Sequence, residues 1–272
     1  MSKKPELLAT TATEPQIIIE PTPSIECLQI AEKREPYVQD FYLSGRACSK
    51  SSAEVIVPIV IKLVQPMSVI DVGCGDGTWL SVFAEHGISD FIGTDGKWVD
   101  EKLLRISKEH FIAHDLTKPF GMNRKFDLVV SVEVAEHLPK QCAETFVNTL
   151  VSLGSVVLFS AAIALQGGTN HVNEQWPDYW MKLFSKRGYV LVDAIRRKVW
   201  QRPDVVYWYA QNTVMYVEKE SLSKHALLKT EYNSTYPAQI SIVHPELYLS
   251  KCKSAPMPIP KMVARDISLR MI

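Results

Sequence analysis

Short runs of β-branched and apolar residues alternate in the middle of the chain with longer segments whose apolar residues recur at helical spacing. One helical segment extends from Ser51 towards Pro66, and Ser51 or Ser52 is placed to cap it. Strands buried on both faces read as continuous apolar runs, so this alternation predicts a doubly wound α/β sheet. The strands are predicted at Val69–Val72, Phe91–Thr94, Phe111–His114, Phe126–Val132, Ser155–Ser160, Tyr189–Ile195 and Thr213–Val217.

Length and charge limit the functional classes. The 272 residues are 46% hydrophobic and suit one sizeable domain with extensions. We predict a flexible tail at 1–24, a cap segment at 25–50, the α/β domain at 51–218 and a C-terminal extension at 219–272. Because Lys and Arg total 30 and Asp and Glu also total 30, no global attraction to nucleic acid or anionic membrane is expected. No apolar run approaches the roughly 20 residues of a membrane span, so a cytoplasmic protein without a membrane partner is predicted.

A glycine-rich stretch follows the first predicted strand, where Gly73, Gly75 and Gly77 alternate. Glycine permits positive φ and lets backbone approach a ligand closely. The spacing differs from the Gly-x-Gly-x-x-Gly fingerprint of dinucleotide sites, so an NAD-dependent oxidoreductase is the weaker interpretation. Asp71 and Asp76 would repel a pyrophosphate but suit a ligand with cationic groups. The stretch therefore favours a cationic cofactor over a dinucleotide.

The run Asp-Val-Gly-Cys-Gly-Asp-Gly at 71–77 resembles motif I of the class I S-adenosylmethionine-dependent methyltransferases, Asp-x-Gly-x-Gly-x-Gly. The resemblance covers about residues 51–217. It implies a Rossmann-like, seven-stranded, mostly parallel sheet closed by two antiparallel strands, with S-adenosylmethionine as cofactor. The implied cofactor-binding residues are Asp71, Gly73, Cys74, Gly75, Gly77, Asp95, Gly96, Asp115, Leu116 and Ser131.

Two of these carboxylates follow predicted strands. Asp95 stands about 20 residues beyond the glycine loop, where an acidic residue can accept from ribose hydroxyls. By resemblance, Asp115 accepts from the adenine amino group and the Leu116 amide meets the ring. The alternatives are ordinary turns, Asp95-Gly96 in one case and a cap by Asp115 in the other.

The acceptor side is predicted from a polar, Gly-rich loop after the fifth strand, which contains Gln-Gly-Gly-Thr-Asn-His-Val-Asn-Glu-Gln-Trp from residue 166. Such loops often carry function. Methylation of an alcohol needs a group that takes its proton, and histidine is the commonest choice. We predict His171 as this base, with Glu133 and His137 beside the acceptor. Alternatively, His171 only shapes the loop by bonding to Asn173 or Glu174.

Glu133, Glu136 and His137 form Glu-x-x-Glu-His, and with His171 they offer enough ligands for a divalent cation. The pattern resembles the metal site of small-RNA terminal 2′-O-methyltransferases, but it also occurs in metal-free methyltransferases of the ubiquinone-biosynthesis type. The chain is not basic overall, so we expect no metal and no nucleic-acid partner here.

These observations together predict O-methylation of a small hydroxylated metabolite, such as a sugar. The alternatives are a metal-dependent RNA ribose 2′-O-methyltransferase and a non-catalytic module that binds the cofactor. The sequence does not identify the acceptor, the oligomeric state or the role of residues 219–272.

Overall fold

The computed structural model describes residues 39–254, with side chains from residue 48 to residue 253. The predicted tail at 1–24 and most of the predicted cap segment at 25–50 lie outside this range. The strands are β1 (Ser68–Val72), β2 (Asp90–Asp95), β3 (Phe111–Ala113), β4 (Leu128–Val132), β5 (Val156–Ser160), β6 (Tyr189–Val192) and β7 (Val214–Glu218). The helices are α1 (Gln39–Val64), α2 (Thr78–Glu85), α3 (Ala143–Leu153), α4 (Pro177–Ser185), α5 (Arg196–Val199), α6 (Tyr207–Asn212), α7 (Ala226–Asn233) and α8 (Pro245–Ser254).

The strands form one sheet in the order β3-β2-β1-β4-β5-β7-β6. Strands β1 to β5 run parallel to one another, whereas β7 is antiparallel to both β5 and β6. The predicted seven-stranded, mostly parallel sheet is thus confirmed. Because β1 to β5 run the same way, their carboxyl ends meet at one edge of the sheet.

The alternation of side chains along buried strands explains the layers of helices. Strand β4 and strand β5 are buried at every position. Val69 and Leu128 point to one face, where α1 and α2 pack, and Ile70 and Val129 point to the other, where α3 and α4 pack. Successive side chains on a strand face opposite ways, so each face has its own apolar layer.

The first described helix differs from the prediction. Helix α1 already includes Gln39, so Ser51 and Ser52 lie inside it and do not cap it. Their hydroxyls donate to the Cys48 carbonyl at 3.1 and 2.8 Å, the back-bonding that serine makes within a helix. Pro58 also lies in the helix interior. Of the helices between residues 39 and 254, none is both long enough and apolar enough to span a bilayer.

Candidate functional site

Backbone hydrogen bonds fix the glycine loop to the end of β2. The amides of Gly73 and Cys74 donate to the Thr94 carbonyl at 2.8 and 3.2 Å. The Gly75 amide donates to Asp95 Oδ2 at 2.7 Å, and the Gly96 amide donates to Asp95 Oδ1 at 2.6 Å. Asp95 therefore joins the loop to the strand end through both of its carboxylate oxygens.

The three loop glycines all have positive φ, but a side chain on each would meet different surroundings. Gly73 has φ of 91°, and a Cβ there would lie 2.4 Å from Val134 Cγ2; Gly77 has φ of 79°, and a Cβ there would lie 2.9 Å from Ile106 Cγ1. Gly75 has φ of 54°, but a Cβ there would meet no atom of the described residues within 4 Å. Gly73 and Gly77 thus let the loop pack onto the protein, whereas Gly75 borders space that a ligand can enter.

The acidic residues of this region fall into two kinds. Asp76 accepts from the amide and hydroxyl of Thr78 at 3.1 and 2.6 Å and pairs with Arg105, so it stabilises the start of α2. Asp71 is 1% exposed, and within residues 39–254 its Oδ1 has no hydrogen-bond partner. Burial, and secondly the nearby Asp95, raise the pKa of Asp71 well above its usual value.

These observations test whether the residues fit S-adenosylmethionine. The donor is cationic and carries ribose hydroxyls, and no phosphate. The open space at Gly75, the unpartnered oxygen of Asp71 and the remaining lone pairs of Asp95 suit such a ligand. The residues present fit the cofactor.

Three other predicted cofactor residues face the protein interior. The Cys74 thiol lies beneath the loop, since a Cβ on Gly93 would be 2.7 Å from its sulfur. The Ser131 hydroxyl donates to the Val72 carbonyl at 2.8 Å, joining β4 to β1. Leu116 is packed in the apolar layer that covers one face of the sheet. Any contact of Cys74 or Leu116 with a cofactor must come from the backbone.

Two further predicted cofactor residues follow the ends of β3 and β2. Asp115 is exposed and accepts from the amide and hydroxyl of Thr117 at 3.1 and 2.7 Å, the contacts of a turn cap. Gly96 is covered by the ring of Trp98, which is 70% exposed, and a Cβ on Gly96 would lie 1.9 Å from that ring.

Glu133 comes directly after β4 with φ of 55°, a rare conformation for a residue other than glycine. Its amide donates to the Ser160 carbonyl at 3.1 Å and to the Ser160 hydroxyl at 2.9 Å, which holds the backbone in place. Its Oε1 accepts from Asn212 Nδ2 at 3.1 Å. Burial raises the pKa of Glu133, while Asn212, Ser160 and His171 favour its ionised form.

The loop after β5 docks on the 3₁₀ turn Ala135–His137. The amides of Val172 and Asn173 donate to the Glu136 carbonyl at 2.9 and 3.0 Å. This docking brings the rings of His137 and His171 together, with centroids 4.8 Å apart and planes at 85°. The pKa of His137 is lowered to about 4, first because its ring is partly withdrawn from solvent and second because His171 lies nearby. The outer edge of the residue stays exposed.

His171 is oriented by a carboxylate. Its Nδ1 lies 2.9 Å from Glu174 Oε1, which also accepts from the Gly167 amide at 2.6 Å. An ionised carboxylate only accepts, so Nδ1 carries the proton and Nε2 keeps a lone pair. The two side chains are 13% and 18% exposed. Gly168 is needed here, since a Cβ on it would lie 2.3 Å from the imidazole.

Glu136 is fully buried, and neither of its carboxylate oxygens has a hydrogen-bond partner among the side chains and backbone that the structure describes. One ligand atom each from Glu136, His137 and His171 lie within 4.8 Å of one another. Burial, and secondly Glu133, raise the pKa of Glu136 well above its usual value. This carboxyl is thus available to a cation or to a donor on a substrate.

The structure therefore brings together the four residues Glu133, Glu136, His137 and His171 at the ends of β4 and β5. It adds Asn212, which the sequence analysis misses because it lies 79 residues from Glu133 and belongs to no motif. The one signal is an adjacent Gln-Asn pair immediately before an apolar strand, where polar side chains at a strand start are unusual.

Comparison with known proteins gives one family match. Residues 49–195 match the family model described as "Methyltransferase domain", which covers just over half of the chain. No curated protein matches the sequence.

Solved structures with a related fold share little sequence with this chain. The magnesium protoporphyrin IX methyltransferase of Synechocystis is 17% identical over 71% of this chain and 94% of its own, with a TM-score of 0.47. An amino pentose methyltransferase from Micromonospora echinaspora is 12% identical over 69% and 100%, with a TM-score of 0.47. A sugar N-methyltransferase from Streptoalloteichus is 13% identical over 79% and 100%, with a TM-score of 0.49.

Proposed function

The chain belongs to the methyltransferase domain family, and from this premise we propose that it O-methylates a small hydroxylated metabolite, such as a sugar, with His171 as general base. The protein is an S-adenosylmethionine-dependent methyltransferase. When bound, S-adenosylmethionine supplies a methyl group on a cationic sulfur. The protein then needs to align an acceptor oxygen and to remove its proton.

The pairing of His171 with Glu174 carries this proposal. The 2.9 Å contact fixes the tautomer in which Nε2 is able to accept a proton. The carboxylate also stabilises the imidazolium that forms when that proton is taken. Enzymes that activate a hydroxyl group repeatedly place a base beside it and orient that base with a third side chain.

Glu133 and His137 complete the proposed acceptor site. The pKa of His137 near 4 keeps this ring neutral at pH 7, so it accepts or donates a hydrogen bond without competing for the positive charge. The main chain of Glu133 is held by the two bonds of its own amide to Ser160, and its carboxylate accepts from Asn212. We assign it the recognition of a hydroxyl group on the acceptor.

The test offers the purified protein labelled S-adenosylmethionine and a panel of hydroxylated metabolites, with mass analysis of the products. We expect His171→Ala to lower turnover by at least about a hundredfold, the usual range for general-base catalysis, while S-adenosylmethionine affinity is unchanged. The control is His86→Ala, which removes an exposed imidazole just after the C-terminal end of α2. Turnover retained in His171→Ala would exclude this residue as the base.

A second candidate function is supported by the cluster Glu136, His137 and His171. A divalent cation held there would make His171 a ligand rather than a base, as an RNA ribose 2′-O-methyltransferase that depends on metal requires. Glu174 would then orient a ligating histidine through its Nδ1. The buried, unpartnered oxygens of Glu136 favour this alternative.

Calorimetric titration with Mn²⁺ and Mg²⁺ separates the two candidates. Under the second, the wild type binds metal, Glu136→Gln does not, and a chelator stops methylation of a ribose-ended RNA. Under the first, turnover of a small acceptor is insensitive to the chelator.

A further inference from the structure

We propose that Asn212 is a positioning residue that fixes the Glu133 carboxylate for the acceptor, and that a buried chain of amide side chains ties it to the C-terminal helix α8. The inference rests on the proposed function only in taking Glu133 as the carboxylate that meets the acceptor. It assigns a role to a part of the chain that lies beyond residues 49–195, where the family match ends.

The backbone of Glu133 shows why its side chain needs support. A glutamate at φ of 55° is strained, and such conformations persist where the surroundings over-determine them. The bonds from its amide to Ser160 hold the main chain but leave the carboxylate free to rotate. The Asn212 amide, at 3.1 Å from Oε1, is the contact that fixes the carboxylate itself.

The orientation of the Asn212 amide follows from its neighbours. Its Nδ2 also donates to Gln166 Oε1 at 3.0 Å, and its Oδ1 accepts from Gln211 Nε2 at 2.8 Å. Gln166 Oε1 in turn accepts from the Ile163 amide at 3.2 Å, and a backbone amide can only donate. The chain of bonds therefore directs an N–H of Asn212, and not its oxygen, towards Glu133.

The other end of the amide chain reaches the start of α8. Gln211 Oε1 accepts from the His244 amide at 2.7 Å. The His244 ring lies between two backbone groups: Nε2 is 2.9 Å from the Trp200 carbonyl, and Nδ1 accepts from the Glu246 amide at 3.3 Å. Gln166, Gln211, Asn212 and His244 are each less than 9% exposed, so water does not replace these bonds.

The experiment determines crystal structures of the wild type and of three variants, and measures in each the position of the Glu133 carboxylate relative to its own backbone. Asn212→Leu removes the donor with little change of volume, and Gln211→Met weakens the support of Asn212 from behind. The matched control is Thr213→Val, one residue further along, because the Thr213 hydroxyl is buried and has no hydrogen-bond partner among residues 48–253.

We expect the Glu133 carboxylate to turn away from its wild-type position in Asn212→Leu, to move less in Gln211→Met, and to stay in place in Thr213→Val. S-adenosylmethionine affinity should stay within about twofold in all three, since no predicted cofactor residue is altered. For an acceptor found in the metabolite panel, kcat/KM should fall about tenfold in Asn212→Leu and stay unchanged in Thr213→Val.

An unmoved Glu133 carboxylate in folded Asn212→Leu would overturn the proposal. Should that variant fail to fold, an unmoved carboxylate in Gln211→Met overturns it instead. The structures need no acceptor, so a protein that methylates none of the panel compounds can still confirm the role of Asn212. A displaced carboxylate with unchanged kcat/KM would show that Glu133 does not meet the acceptor.

Discussion

The donor side of the site, which comprises the glycine loop and the ends of β1 to β3, is joined by backbone hydrogen bonds between neighbouring strands. The acceptor side, which comprises the loops after β4 and β5 with α6 and His244, depends on side chains from distant segments. On the donor side, Asp95 bonds two amides within about 20 residues. On the acceptor side, Glu133 bonds Asn212, which is 79 residues away.

The bonds of the donor side end on backbone amides of segments that are close in the chain, whereas those of the acceptor side need side chains from distant segments. Both sides keep a buried carboxyl oxygen that has no hydrogen-bond partner among the described residues, on Asp71 and on Glu136. Buried polar groups without partners are expensive, and they are retained where a ligand completes them.

The largest expected effect comes from two glycines on the donor side. Gly73→Ala places a Cβ 2.4 Å from Val134 at positive φ, so we expect a loss of about 3 kcal/mol in the free energy of unfolding and no measurable cofactor binding. Gly75→Ala meets no atom, so its loss should be only about 1 kcal/mol, while its methyl group enters the ligand space. Chemical unfolding and calorimetry with S-adenosylmethionine measure both.

The matched control is Gly121→Ala, at a glycine without positive φ and with no atom near its Cβ. If Gly75→Ala bound S-adenosylmethionine as well as the control does, the open space beside this glycine would not be the cofactor site. The assignment of the donor side to the glycine loop would then lose its basis.

A second prediction compares one buried carboxyl from each side. The pKa values of Asp71 and Glu136 are both raised well above normal, chiefly by burial, so each group favours the folded state while protonated. That contribution is complete below the unfolded-state pKa and is lost as the pH rises through the folded-state pKa. Asp71→Asn and Glu136→Gln mimic the protonated forms. At pH 8 the free energy of unfolding of each variant should be about 1 kcal/mol higher than that of wild type.

Cofactor binding should separate these two variants. Asp71→Asn loses a carboxylate next to the glycine loop, so its S-adenosylmethionine affinity should fall about tenfold. Glu136→Gln should keep wild-type affinity, because Glu136 belongs to the acceptor side. Unfolding curves from pH 5 to pH 9 and calorimetry at pH 8 test both expectations. Equal losses of affinity in the two variants would mean that the two sides are not separate.

The sequence predicts the donor side better than the acceptor side for a physical reason. The glycine spacing and the acid after β2 are local signals, because the loop bonds to the next strand along the chain. Glu133 and His171 are also predicted, since strand ends converge at one edge of a parallel sheet. Asn212 is not, because its contact with Glu133 arises only from tertiary packing.

The start of α1 shows the opposite failure, in which a local signal misleads. Serine is a residue typical of helix caps, yet Ser51 and Ser52 lie in the interior of the helix. Ser52 is fully buried, and its hydroxyl also accepts from the Val206 amide at 3.1 Å. This hydrogen bond joins Ser52 to a segment more than 150 residues away, and no local sequence pattern contains that information.

The smallest expected effect concerns Asp115, the outermost acid of the donor side. Its hydrogen bonds to Thr117 are those of a turn cap, and the lowered pKa of its carboxyl comes chiefly from the Thr117 hydroxyl and secondly from the Thr117 amide. If capping is its whole role, Asp115→Ser, which keeps a cap, should bind S-adenosylmethionine within about twofold of wild type. If it also accepts from the adenine amino group, affinity should fall about tenfold, the usual value of one hydrogen bond to a charged group. Calorimetry with S-adenosylmethionine and with its inosine counterpart, which lacks that amino group, decides. A wild type that binds the two equally well would confine the donor side to the glycine loop and the ends of β1 and β2.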